Sequence, residues 1–427
     1  MAIPHAADID ALDDDPDAPF WSQRDILGHI HQFARSRRVA PYAVLGCVLR
    51  RAISCVEPGV KLPPTIGGSV SVNLFTASAG KSGQGKGAAD AAGKAAIRFP
   101  NNLGDDLDGE SPSIGTGEGL ARLFKGRKDE PGITRAHIMV PEVATLAAIA
   151  GRQGATLPGE LLKAYMGEAR GFSNAHKDTT TAVEPHSYRL CLGVGVQPEN
   201  ADFFLAREKD GFPQRFLWLP TIDPYAPRDR PAKVDPIDVV IPTFGAGEYL
   251  ISVPDEVRTE IDTYRQQVLI GAEDIDPLDG HLMLTRLKVA FGLALLVGRK
   301  DIEGDDWKIA GDLLDVSKQV RADLRTAVAD RRRRDNTARA HDQADREQIV
   351  AARLDDDRQK RVSLAIIRKL KRTGRATRRE LRIACTRAIR DDFDPVFEML
   401  VDKEFLVCQP GGDGRADEYK LAADFSA

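Results

Sequence analysis

Eight residues in the first fifth of the chain, Gly80-Lys81-Ser82-Gly83-Gln84-Gly85-Lys86-Gly87, set glycine, glycine and lysine at the spacing GxxxxGK. Glycines at these places let backbone N–H groups converge on phosphate oxygens at the start of a helix, and Lys86 adds a point charge for the outer phosphates. The chemistry such a loop serves is phosphate binding, with phosphoryl transfer as its extension. One position departs from the pattern, because Gly87 stands where a Ser or Thr hydroxyl would touch Mg2+. A second segment, His137-Ile138-Met139-Val140-Pro141-Glu142, reads as an apolar strand ending in an acid. Pro141 takes the place of a metal-orienting Asp, while Glu142 takes that of the residue that polarises an attacking water. Metal contacts would then be relayed through water.

These groups need elements to hold them. Residues 69–77 alternate with period two and predict a strand running into the glycine loop, and the alanine-rich stretch 88–97 predicts the helix that follows it. Short apolar strands at 137–140, 189–196 and 216–219 each follow a helical or loop segment, the pattern of a parallel sheet with helical crossovers. Upstream, 21–38 and 41–56 have helical spacing and form a lead-in (19–66) to a core spanning 67–253. From Pro254 to about residue 330 the pattern is helical, with an apolar helix at 281–298 and another from Asp305. A charged linker is expected over 331–357. The remainder, 358–427, reads as helix (362–371), helix (377–384), helix (395–401) and a hairpin turning through Gly411 to Gly414. Three helices and a two-stranded wing describe a winged helix.

The chain has 427 residues, enough for two or three domains at roughly 150 each. Its formal net charge of -4 points to no particular partner, but the local balance does. Residues 1–18 hold six aspartates and no Lys or Arg and read as a disordered acidic tail. Residues 358–390 hold thirteen Lys or Arg and one acid, Glu380. That excess falls on the proposed winged helix, where Arg378, Arg379 and Arg382 of its second helix suit DNA phosphates. The five cysteines are scattered and form no CxxC pair, so reduced core thiols are expected. No HExxH or GxSxG is present, which sets aside zinc hydrolases and serine esterases. With no membrane-spanning run or signal-peptide pattern, a cytoplasmic protein without membrane partners is expected.

Taken in order, the motifs resemble AAA+ ATPases of the minichromosome-maintenance helicase type, and more closely the replication-associated ATPases of actinobacterial phages and mobile elements. The resemblance covers about residues 20–420. Gly115 to Lys128 followed by Ile133 to Glu142 resembles the stretch where those proteins place a hairpin before the acidic strand. Val194-Gly195-Val196-Gln197-Pro198-Glu199-Asn200 resembles their first sensor, with Gln197 where Asn is usual, Phe212-Pro213-Gln214-Arg215-Phe216 their arginine-finger motif, and the helix with Arg286 the lid that carries a second sensor. Residues 170–189 fall in the place of a further pore hairpin, with Lys177 its lysine.

The resemblance implies an α/β fold: an AAA+ core with a parallel sheet, a helical lid and a C-terminal winged helix. It implies ATP held by Gly80, Gly83, Gly85, Lys86 and Gly87 with Mg2+, and catalysis by Glu142, Gln197, Arg286 and, across a subunit interface, Arg215. DNA would be met by Lys125, Arg127, Lys128 and Lys177 inside a homo-oligomeric, hexameric ring, and a primase or polymerase would be supplied separately. Other assignments stay open: Arg215 in a structural ion pair, Arg286 paired with Asp279 or another carboxylate, Gln197 as a capping amide. The expected function is that of an ATP-dependent DNA helicase or translocase of a mobile-element or phage replication system. The alternative is a nucleotide-binding initiator or loader platform that turns over slowly or not at all; a winged-helix transcriptional regulator ranks third.

Overall fold

The computed structural model describes residues 15–101, 111–127, 130–151, 155–171, 181–272, 279–411 and 416–422. Its contacts divide the chain into two units, Met1–Arg331 and Arg332–Ala427.

The first unit opens with helices α1 (Asp25–Ser36) and α2 (Pro41–Ser54). Strand β1 (Phe75–Ala79) then leads through the glycine loop into α3 (Lys86–Ala96). There follow α4 (Gly117–Lys125), β2 (Arg135–Val140), α5 (Val143–Ala150), α6 (Leu157–Met166), β3 (Arg189–Val196) and β4 (Phe216–Pro220). Helices α7 (Asp255–Leu269), α8 (Leu282–Leu296) and the start of α9 (Gly304–Thr373) complete it. Strands β2, β3, β1 and β4 form one sheet in that order, with every pair parallel.

All residues of β1 and β3 are buried, as a parallel sheet covered on both faces requires. Alternate strand residues feed two cores. Cys191, Leu217 and Leu219 join the core built with α1, α2, α3 and α8, while Phe75, Leu192, Val194, Phe216 and Trp218 join the one built with α4 and α6. The lead-in and the helices after Pro254 therefore pack on the sheet itself instead of forming separate domains. The acidic stretch also ends early, since Asp15 pairs with Arg35 at 2.8 Å and Ala18–Trp21 is helical; residues 1–14 lie outside the described residues.

The strand expected over 69–77 is two strands. Val70–Ser71 pairs antiparallel with Val60–Leu62, and β1 begins only at Phe75. Buried Asn73 causes the break: its side chain donates to the Ala164 carbonyl at 2.6 Å and accepts from Leu190 N at 3.2 Å, fixing the backbone outside either ladder.

The expected linker over 331–357 is also different, because α9 is helical through all of it. That stretch contains no Gly or Pro, and a helix polar on every side is supported by pairs one turn apart. Gln343 donates to Glu347 at 3.0 Å, and Lys360–Asp356 and Arg361–Asp357 pair at 2.6 and 3.0 Å.

In the second unit the end of α9 packs with α10 (Arg378–Ala384) and α11 (Phe393–Asp402) around Val362, Ile366, Leu381, Phe393 and Phe397. Strands β5 (Leu406–Gln409) and β6 (Glu418–Leu421) pair antiparallel, and Ala376–Thr377 adds a third strand beside β6. A capping box starts α10, with the Thr377 hydroxyl and the Glu380 carboxylate each serving the other's backbone N–H.

Among the described residues no helix is long and apolar enough to cross a membrane.

Candidate functional site

Strand register brings the sequence-derived groups of the core together. Ala79 lies beside Val196, and Val140 beside Val194, so the exits of β1, β2 and β3 reach the same edge of the sheet. Open α/β sheets take ligands at this carboxyl edge. Gly80 N donates to the Val196 carbonyl at 2.9 Å and Thr221 N to the Ala79 carbonyl at 3.0 Å, extending the ladder into the loops. Close packing here demands glycine: a Cβ on Gly80 would lie 1.7 Å from Thr221 Oγ1, and one on Gly195 would lie 2.0 Å from the Pro141 carbonyl oxygen.

The loop has the geometry of an anion cradle. Gly83 and Gly85 have φ of 81° and 73°, the left-handed region that glycine enters without strain. Gly85 precedes α3 without a side-chain cap, which leaves the N–H groups of the first turn for a ligand. Gln84 closes the turn, its Oε1 accepting from Lys81 N at 2.6 Å. Lys86 Nζ donates to the carbonyls of Gly80 and Lys81 at 2.8 and 2.9 Å. Burial lowers its ammonium below the ordinary lysine value, and the carboxylates of Glu142 and Glu199 act in the opposite direction.

Glu142 stands exposed at the start of α5, and Gln197 Nε2 donates to its carboxylate at 3.5 Å. The Gln197 side chain does not cap the short helix it precedes; its Oε1 accepts from Asn200 Nδ2 at 3.0 Å, which aims the amide nitrogen at Glu142. Beside the loop is a cleft of 310 Å³, walled by Arg35, Arg38, Val39 and Ala40 of the lead-in and by Thr221 and Asp223 after β4. Sequence reading missed this wall and the supporting residue Thr221, none of which belongs to a motif, and Asn200, the last residue of the first-sensor stretch, was given no role of its own. Val39 and Ala40 between two predicted helices were the available hint.

Other expected site residues lie elsewhere. Arg215 precedes β4 at the opposite edge of the sheet. It donates to the Gly211 carbonyl at 2.5 Å, lies 6.0 Å from the Tyr165 ring, and has a buried Nε with no hydrogen-bond partner. Burial lowers its guanidinium below the ordinary value. Arg286 is engaged within the helical segment: it pairs with Glu260 at 2.6 Å, donates to the Trp307 carbonyl at 3.0 Å and stacks on the Trp307 ring at 3.9 Å. Its acid is thus Glu260, and Asp279 pairs with Arg321 at 2.5 Å. Lys125 is exposed at the end of α4, ahead of a small hairpin pairing Gly126–Arg127 with Glu130–Pro131. Lys128, Lys177 and the Arg127 side chain lie outside the described residues.

In the second unit Arg378 pairs with Asp394 and Glu398 at 3.0 and 2.8 Å, and Arg382 pairs with Asp394 at 3.2 Å. Arg379 is exposed and makes no ion pair with a described residue.

One buried cluster was not foreseen. Ligand atoms of Cys47, Asp90 and His137 lie within 4.8 Å of one another, the only such group of three among the described residues. A metal does not suit it, because a guanidinium already fills the cation's place: Arg50 donates to Asp90 Oδ1 and to His137 Nε2, both at 2.9 Å. Cys47 donates its thiol hydrogen to the Asp90 carbonyl at 3.4 Å, and burial pushes that thiol up to about 12.

No protein-family model matches the chain, and no curated protein matches it.

Proposed function

We propose that the protein is an ATP-driven DNA helicase or translocase of a phage or mobile-element replication system, acting as a hexameric ring of identical subunits beside a separate primase or polymerase. The observation that carries this reading is the convergence of Lys86, Glu142 and Gln197 at the carboxyl edge of a parallel sheet, around a glycine loop with an uncapped helix start. A triphosphate fits that donor set: backbone N–H groups from 83–87 and Lys86 take the phosphates, and the 310 Å³ cleft takes the nucleoside end. Mg2+ bound with the nucleotide would supply polarisation of the outer phosphate, and Glu142 would be the carboxylate that meets its waters. Glu142, steadied by Gln197, accepts the proton of the attacking water. Arg215 of a second copy would stabilise the charge that develops during transfer. Arrangement of the second unit as three helices and a small antiparallel sheet resembles a winged helix, and its basic exposed residues favour DNA as partner.

A second reading rests on Gly87 and Pro141, which leave Glu142 as the acid of the metal shell: a platform that binds nucleotide and hydrolyses it slowly or not at all. Phosphate release measured with and without DNA separates the two. The motor requires DNA-stimulated release that Lys86→Ala abolishes by removing nucleotide binding and Glu142→Gln abolishes without removing it. Absence of stimulated release with Mg2+ or Mn2+, where rings form, would leave the platform.

A further inference from the structure

Arg50 belongs to none of the motifs, yet it touches the elements that carry Lys86, Glu142 and Gln197. It lies on α2 and is 2% exposed. One arm of its guanidinium bonds Asp90, one turn of α3 beyond Lys86; the other bonds His137 on β2, the strand that delivers Glu142. The pocket is completed by β3, where a Cβ on Gly193, four residues before Gln197, would lie 2.1 Å from Arg50 Nη1. Arginine has donors only, so His137 Nε2 must present its lone pair and the ring must be neutral. Burial, and then Arg50, hold that imidazole well below its ordinary value. Burial alone would raise Asp90, but Arg50 holds its carboxyl at about 2, with Lys94 at 3.4 Å adding to the effect. A buried ion pair adds little net stability over apolar residues of the same shape, whereas two fixed bonds from one planar group set the spacing of the elements they join.

We infer that Arg50 is a positioning residue, coupling the helix that carries Lys86 to the strand that leads to Glu142 so that nucleotide in the loop fixes the place of the acid. This inference rests on the nucleotide reading of the loop. His137→Leu cuts the strand arm and leaves the Arg50–Asp90 pair in place. In wild type, a fluorescent ATP analogue should slow hydrogen exchange over 139–143. In His137→Leu the analogue should bind within threefold of wild-type affinity, but that protection should be lost, and any phosphate release should fall at least tenfold in kcat with KM little changed. His137→Gln, which keeps an acceptor, should restore most of both. Should His137→Leu fail to fold, Asp90→Asn carries the same test from the other arm. Unchanged protection in a folded variant, or equal losses of affinity and turnover, would overturn the role of Arg50. Wild-type protein with no affinity for the analogue would overturn the nucleotide reading and this inference with it.

Discussion

A Cβ built on Gly87 meets nothing within 4 Å, so the position usually filled by a metal-binding hydroxyl has room for one. Gly87→Ser should supply that contact without repacking, and serine in the helix should add roughly 0.5 kcal/mol of stability over glycine. We expect Mg2+-dependent phosphate release to rise several-fold at unchanged nucleotide affinity, as read from steady-state kinetics; a fall in kcat would show that this loop works without the hydroxyl. Gly195 is the opposite case. Its Cβ would collide with the Pro141 carbonyl, pushing Glu142 away from Gln197, and would also come within 3.3 Å of Lys86 Cδ, a contact that the flexible lysine side chain relieves by a shift of a few tenths of an ångström. Gly195→Ala should therefore lower kcat more than tenfold and leave the affinity for an ATP analogue within threefold, a split that titration and turnover measurements together resolve.

On helix α10 the three arginines grouped by sequence are not equivalent. Asp394 on α11 holds Arg378 and Arg382, and Arg378 also lies over the Phe397 ring at 4.9 Å, whereas Arg379 remains available to a phosphate. If this unit binds DNA, Arg379→Ala should reduce the salt slope of binding by about 1, while Arg378→Ala should cost at most about 1 kcal/mol of stability, measured by titration at several salt concentrations and by thermal melting. The elements themselves were legible where burial is simple: β3 coincides with the 189–196 apolar run, and α10 and α11 fall within two residues of their expected bounds. Reading failed where one side chain or one composition carried two meanings. Asn73 looks like any alternating strand residue until its two backbone partners are known, and the charged run 331–357 looks like a linker unless its lack of Gly and Pro is weighed above its polarity. Arg50 could not be found by pattern, because its partners lie 40 and 87 residues away.

Among the described residues, the three histidines held most strongly in the neutral form are the buried His137 and the half-buried His31 and His281. Burial is the main cause for each: His31 and His281 are lowered to about 4, and His137 lies well below its ordinary value. The unfolded chain binds their protons below about pH 6.5 and the native chain does not, so stability is full above that value and falls as pH drops toward 4. Unfolding at pH 5 should take up as many as three protons, measurable by calorimetry in buffers of different ionisation enthalpy; a melting temperature constant from pH 7 to 4.5 would contradict it. Assembly is tested by Arg215. Phe216 pairs with Phe75, and Gly80 follows β1, so Arg215 stands about six strand residues, or ~20 Å, from the level of the loop and at the other edge of the sheet. An arginine so placed does not reach its own loop along the strand; if Arg215 serves a phosphate, that phosphate would belong to another copy, through a head-to-tail interface. Lys86→Ala and Arg215→Ala proteins should each be inactive alone. Mixed in equal amounts they should recover phosphate release, because roughly one interface in four then joins an intact loop to an intact Arg215. Recovery should grow with total protein concentration, as association demands. A mixture as inactive as its components, under conditions where wild-type subunits assemble and turn over, would remove Arg215 from the site and leave Lys86, Glu142 and Gln197 to act within one subunit.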